Sequence, residues 1–206
     1  MEKCAWSWMN GRFIKKPMIP ADCQGFHYGL SAFEGIRFYR THDGRSAIFR
    51  LKEHMERLNY SIACLGIESS FTDEELCSAI IKTIKRNKIK EGYVRPIIGF
   101  TDEAIGLKTN PKGATYIISI WDWPVYFSRN VRAMISSIAR LDPQAFSTHA
   151  KIGGHYVNSF NASQEAENRK PDKLDSAILL DHEGNIAEAP VANIFVVKNR
   201  ELLTPT

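Results

Sequence analysis

The chain has 206 residues, of which 44% are hydrophobic and 24% charged, with a net charge of +4. That composition excludes a disordered or fibrous chain and supplies core for one large domain or two modest ones. The basic residues are scattered, and the densest run, Lys82 to Lys90, falls on a predicted helix and its end, so it reads as a solvated face and not as a nucleic-acid surface.

No apolar run reaches the length of a membrane span. The start, Met1-Glu2-Lys3-Cys4-Ala5-Trp6, lacks the pattern of a signal peptide. Cys4, Cys23, Cys64 and Cys77 show no CxxC pair and no metal-like spacing with histidine, so free thiols in a reducing cytoplasm are expected. Cys64 and Cys77 sit in helical periodicity and are expected to be buried.

In chain order, Trp6 to Met9 and Arg12 to Ile14 flank Asn10-Gly11 and predict a hairpin with a two-residue turn at positive φ. Leu51, Met55, Leu58, Ile62 and Leu65 recur at 4-3-4-3 spacing, which predicts a helix from about Lys52 to Leu65. Ala47-Ile48-Phe49 is a short strand before it, ending at Arg50. Thr72-Asp73-Glu74-Glu75 is a capping box, opening a helix that turns Leu76, Ile80 and Ile84 inward. Gly92 to Phe100 predicts a strand, on which Tyr93 and Arg95 point to the same face. A second strand is predicted at Thr115 to Trp121.

Residues 124–129, which include a proline and lack a clean period, are the predicted linker between a small α/β domain, 1–123, and a second domain, 130–206. In the latter, strands are expected at Val131 to Ile138, Ala177 to Leu180, Ile186 to Glu188, Asn193 to Val197 and Leu202 to Thr204. A helix is expected near Ser159 to Asn168. The pattern is α/β of the α+β kind, without regular βαβ alternation.

The chain has no GxGxxG, Walker loop, HExxH or GxSxG, and no paired metal ligands, so no metal site is expected. Its chemistry must rest on Lys, Arg, Tyr and Glu together with a group brought from outside. Lys151, in Ala150-Lys151-Ile152-Gly153-Gly154-His155-Tyr156, is the foremost candidate. A lysine stem has little to cover before paired glycines, whereas an amine destined for a Schiff base needs a fixed stem, nearby backbone and little bulk. An exposed lysine on a glycine turn is the plainer alternative. Arg95 is predicted to point inward beside Tyr93, a costly place for a charge unless it meets an anion.

Lys151-Ile152-Gly153-Gly154 joins His27-Tyr28-Gly29, Phe33-Glu34-Gly35-Ile36-Arg37, Arg50 to Leu58, Tyr93-Val94-Arg95-Pro96 and Glu188-Ala189-Pro190-Val191-Ala192-Asn193 in an ordered set. The set resembles the branched-chain amino acid aminotransferases, pyridoxal phosphate (PLP) enzymes of fold-type IV, with the D-amino-acid-aminotransferase-like two-domain fold. The resemblance covers nearly the whole chain and implies that the second domain is incomplete, lacking the family's C-terminal part. It implies transamination of Leu, Ile or Val with 2-oxoglutarate through an internal aldimine on Lys151. Arg50 would hold the cofactor phosphate, Tyr156 its phenolic oxygen and Glu188 its pyridine nitrogen, with Asn193 nearby. Tyr93 and Arg95 would handle the substrate carboxylate, and Tyr28, Phe33 and Gly35 would line its apolar pocket; Arg37 and Arg140 are further candidates. The family also implies a homo-oligomer, and small-molecule partners only, without nucleic acid or membrane.

Two departures stand out. Ala189, Pro190 and Ala192 replace most of a Glu-Gly-x-x-Glu-Asn motif, and the family's later phosphate-binding loops are missing. A silent fragment acting by association with another chain is therefore one alternative function. Another class IV enzyme, such as D-amino-acid aminotransferase or aminodeoxychorismate lyase, is a second.

Overall fold

The computed structural model describes residues 1–123 and 130–205; the predicted linker at 124–129 lies outside them. The described residues fall into two compact units. The first holds residues 1–123 and 149–154, and the second 130–148 and 155–205. The sequence division assigned 149–154 to the second domain; by its contacts the Lys151 segment groups with the first.

The first unit contains β1 (Glu2–Lys3), β2 (Ser7–Met9), β3 (Arg12–Ile14), α1 (Gln24–Tyr28), β4 (Ser31–Phe33), β5 (Ile36–Arg40), β6 (Ser46–Ile48), α2 (Leu51–Cys64), α3 (Asp73–Asn87), β7 (Gly92–Phe100) and β8 (Ala114–Asp122). The eight strands form one sheet in the order β3-β2-β8-β7-β5-β6, with β1 also on β8 and β4 also on β7. The β2–β3 turn is the predicted one, with Asn10 at φ 44 and Gly11 at φ 89. Thr72 caps α3 as predicted: its side chain accepts from the Glu75 N–H, and Glu75 answers on the Thr72 N–H.

One face of this sheet is covered by α2 and α3. Met55, Leu58 and Ile62 from α2 and Leu76, Ile80 and Ile84 from α3 share a core with Val94, Ile98, Ile118 and Ile120 of the central strands. Alternation along β7 then commits Tyr93, Arg95 and Ile97 to the opposite face. Register adds neighbours there, since Tyr93 lies between Arg37 and Trp121, and Ile97 beside Phe33. Cys64, expected to be buried, ends α2 exposed, while Cys23 is buried.

The second unit contains β9 (Ala133–Ile135), α4 (Tyr156–Asn168), β10 (Ser176–Leu180), β11 (Ile186–Glu188), β12 (Val196–Lys198) and β13 (Glu201–Leu203). β10 pairs parallel with β9 and antiparallel with β11. The core of this unit is small: Ala162 and Ala166 of α4 against Ala177 and Leu179 of β10. β9 is shorter than the predicted strand, and α4 begins earlier than predicted, continuing a 3-10 turn over Gly153–His155. β12 and β13 form an isolated hairpin whose turn, Asn199 and Arg200, has both residues at positive φ.

Candidate active site

The Lys151 segment is held by its backbone. The Lys151 N–H donates to Ser61 Oγ at 2.8 Å, and the Lys151 carbonyl accepts from the Phe33 N–H at 3.0 Å. Ile152 bridges to Ala32, and the Gly154 N–H donates to the Gly29 carbonyl at 3.1 Å. The glycines permit this closeness. A Cβ on Gly29, whose φ is +67°, would lie 2.8 Å from Gly154 Cα, and one on Gly153 would lie 2.6 Å from Ser31 Oγ. The glycine pair is thus a docking surface against the α1–β4 turn, which leaves the Lys151 side chain directed by three backbone anchors.

That side chain places Nζ 5.3 Å from the centre of the Phe33 ring, and the Arg95 guanidinium stands 4.3 Å from the same ring. Two cations thus share one aromatic ring, where each gains from the ring quadrupole. Arg95 also donates to Tyr93 Oη, at 2.5 and 3.1 Å, and among the described residues it meets no carboxylate. Trp121 and Trp123 flank Tyr93 at 6.3 and 5.4 Å between ring centres, and Arg37 donates to the Trp123 carbonyl. The face is therefore aromatic and cationic, suited to a small anion with an apolar side chain.

Gly35 is fitted to this wall. A Cβ there would fall 2.3 Å from Tyr93 Oη and about as close to the ring as carbon can come. Gly35→Ala is expected to displace Tyr93 and with it the Arg95 hydrogen bonds. The measurable result is a KM for the substrate raised roughly tenfold, about the worth of one charge-assisted hydrogen bond; an unchanged KM would show that Tyr93 does not position Arg95.

Beside this wall lies a charge cluster that the motifs did not single out. The Glu34 side chain is fully buried, and Arg57 grips it with Nε at 2.5 Å and Nη2 at 2.8 Å. His54 Nδ1 meets the same carboxylate at 2.8 Å. Burial alone would raise the Glu34 carboxyl, but the hydrogen bonds and charges of Arg57 and His54 outweigh it and hold it at about 2. The signal was present in the sequence: a glutamate between Phe33 and Gly35, and His54 and Arg57 three residues apart on the polar face of α2.

The sequence placed the phosphate on Arg50. In the structure Arg50 is the N-cap of α2 in the left-handed conformation (φ 50), 61% exposed at the side chain and paired with Glu53 at 2.8 Å. Ser61, which anchors Lys151, lies on the same stripe of α2, eleven residues or about 16 Å along the axis from Arg50 and only four residues, about 6 Å, from Arg57. Ser61 Oγ also donates to the Arg57 carbonyl at 2.8 Å. Arg57 is therefore the arginine nearer, along α2, to the serine that anchors Lys151. Tyr28, placed by the sequence in the substrate pocket, is 40% exposed, and its hydroxyl accepts from the Gly106 N–H at 3.2 Å.

In the second unit, Tyr156 is the half-buried first residue of α4. Glu188, at the end of β11, is ion-paired with Arg140, which is 22% exposed at the side chain. The tight turn after β11 forms despite Pro190, with Ala189 and Ala192 hydrogen-bonded to each other in both directions. Asn193 follows it and is exposed.

Phe33, Tyr93 and Arg95 thus share one sheet face, with the backbone-anchored Lys151 reaching the Phe33 ring. Residues 31–206 match the family "Amino-transferase class IV", and the chain belongs to that family.

Within the family the resemblance is narrower. The chain is 33% identical over 184 residues to the branched-chain-amino-acid aminotransferase of Pseudomonas aeruginosa, covering 87% of this chain and 59% of that protein. Its structure is similar to that of a T.th. branched-chain amino acid aminotransferase complexed with N-(5'-phosphopyridoxyl)-L-glutamate, with a TM-score of 0.88 at 36% identity, covering 98% of this chain and 66% of that one. It is similar also to the branched-chain aminotransferase of Thermoproteus uzoniensis with norvaline, with a TM-score of 0.91 at 32% identity, covering 98% and 68%. The chain thus spans about six tenths to two thirds of the length of these relatives.

Proposed function

We infer that the chain serves PLP-dependent transamination of branched-chain L-amino acids with 2-oxoglutarate, and that Lys151 is its catalytic residue. The observation that carries this reading is the pair of cations over Phe33: an amine fixed by three backbone anchors, and a half-buried guanidinium with no carboxylate partner among the described residues. The relatives' names and bound molecules support the substrate class, one carrying a phosphopyridoxyl-glutamate and another norvaline.

Taken unit by unit, the donors suit the cofactor: in the first, the Lys151 amine would take its carbonyl carbon and the Arg57 guanidinium its phosphate, and in the second the Tyr156 hydroxyl would suit its phenolic oxygen and the Glu188 carboxylate its pyridine nitrogen. When bound, PLP supplies an electron sink for the bond broken at the substrate α-carbon. The chain's own residues do the rest. Lys151 Nζ would take the proton from the substrate α-carbon and deliver it to the carbon that had been the cofactor's carbonyl. Arg95, steadied by Tyr93, receives the substrate carboxylate, and Phe33 and the Trp121–Trp123 wall accept the apolar side chain. Glu188 would offer its carboxylate to the ring nitrogen, with Arg140, its ion-pair partner, fixing its orientation. Arg57 is preferred to Arg50 for the phosphate because it lies nearer, along α2, to the serine that anchors Lys151.

An aliphatic wall separates Leu, Ile and Val by only about 1–3 kcal/mol per methylene, so all three are expected to react. The deciding assay offers L-leucine or D-alanine with 2-oxoglutarate and follows glutamate. Turnover of L-leucine in large excess is expected; preference for D-alanine would replace this reading with a D-amino-acid aminotransferase.

We further infer that the chain forms a homo-oligomer through one patch of the first unit. Residues 22–28 and 103–108 are stitched together by Gln24, whose side-chain amide donates to the Gly106 and Lys108 carbonyls at 2.6 and 2.9 Å, and by the Cys23–Glu103 bridge. This ordered surface exposes Phe26 (71%), Ile105 (81%) and Leu107 (77%), a concentration of apolar area that soluble monomers seldom leave to water. Leu107→Asp is expected to shift the chain to a smaller species in sedimentation; an unchanged sedimentation coefficient would remove this surface from consideration.

A further inference from the structure

Across the sheet from Tyr93 and Arg95, beside β6 and the C-terminal half of α3, lies a cavity of about 720 Å³. Its walls are aliphatic: Ile48, Leu51, Ile84 and Ile89, which belong to or pack on the main core, and Ile81, which is 39% exposed. It is therefore a recess opening from the edge of the core to the surface. Its rim carries Arg45, Lys85, Lys88 and Lys90, and no acidic side chain lines it.

The rim is held in place. Lys88 is fixed in the left-handed conformation (φ 58) with its N–H on the Lys85 carbonyl, and the Lys90 carbonyl accepts from Ser46 Oγ at 2.8 Å. Arg45 is paired with Asp43 at 2.7 Å, whereas among the described residues Lys85, Lys88 and Lys90 make no ion pair. Lys85, in the last turn of α3, offsets the negative end of the helix dipole. Lys88 and Lys90 stand beyond the helix and are left over by that account.

We propose that this recess binds a small anionic amphiphile, a carboxylate carrying an apolar chain, at a site separate from Lys151. The volume lies within the range of about 300–1,000 Å³ common to small-molecule pockets. The isoleucines and Leu51 take the chain, and the unpaired lysines take the carboxylate. A neutral apolar ligand would leave the rim unused, and a nucleic acid would leave the aliphatic wall uncovered. The inference does not depend on the aminotransferase reading, because none of these residues belongs to the Lys151 site.

The test is calorimetric titration of the 206-residue chain with octanoate, and in parallel with 1-octanol and with acetate. Octanoate is expected to saturate one site, with octanol and acetate each bound at least about tenfold more weakly. The double variant Lys88→Gln/Lys90→Gln should weaken octanoate by a similar factor and leave octanol unchanged. Ile81→Asp, at a half-exposed position, should remove both, while circular dichroism confirms the fold. Lys151→Ala should bind octanoate like the parent chain, which separates this result from any failure of catalysis. No octanoate binding, octanol binding as tight as octanoate, or octanoate binding indifferent to the lysine and Ile81 variants would each overturn the proposal.

Discussion

Lys151→Ala is expected to abolish both the visible absorption band that the chain develops with PLP and its turnover of L-leucine, the latter by about 10⁴-fold or more. The substitution removes the amine and leaves its support untouched. Ser61, Phe33 and Gly29 hold residues 151–154 through hydrogen bonds to their backbone, so the variant should fold like the parent. The comparison is a spectrum of each protein with PLP, before and after L-leucine. A band in the parent alone, altered by L-leucine, supports the proposed function. An equal band in both would mean that Lys151 is not the cofactor lysine. A folded parent with no band would count against the proposed function.

Glu34→Gln is expected to destabilise the first unit by roughly 3 kcal/mol at neutral pH, a drop in Tm on the order of 10 °C. The sign follows from the carboxyl, lowered in the folded chain to about 2 from an ordinary 4.5. A lowered folded value means that the ionised form is the stabilised one, so the contribution is complete above about 4.5 and disappears as the pH falls toward about 2. Urea unfolding of the parent between pH 7 and pH 2.5 should show that loss. The Gln variant should show a shallower slope, because Arg57 and His54 no longer have an anion between them. Equal slopes would mean that Glu34 is not ionised in the folded state. The variant is also expected to leave Arg57 without the carboxylate that orients its guanidinium, so PLP affinity should fall with stability. Glu34→Asp, which keeps the charge at a shorter reach, should recover part of both.

Much of this was legible in the sequence because it is encoded locally. Asn10-Gly11 tolerates the positive φ of a tight hairpin, and Thr72 with Glu75 satisfies free N–H groups at a helix start. Leu51 to Leu65 at 4-3-4-3 spacing makes one apolar stripe. Each depends on a few adjacent residues and elementary sterics. The same holds for Tyr93 and Arg95 on one face, which follows from the pleat, and for Lys151, whose paired glycines announce a close backbone approach. The short strands β4 and β5 were harder to read. They hold three and five residues, too few to show a period, and they exist because the long strand β7 offers both a partner.

By itself the sequence determined the family, and it singled out the lysine and the pair of Tyr93 and Arg95 on one strand face, since these are carried by residue types in a fixed order. Only the tertiary structure decided which arginine of α2 stands nearer to the serine that anchors that lysine. Arg50 and Arg57 lie on one helical stripe and look alike in sequence; the helix rise and the Ser61 anchor separate them. The structure alone showed that Glu34 is buried between Arg57 and His54, and that Trp121 joins Tyr93 from the neighbouring strand. It alone gathered the lysines past α3 around an aliphatic recess. Each of these joins residues far apart in the chain. Their juxtaposition depends on sheet register and helix packing, and neither is fixed by any short stretch of sequence.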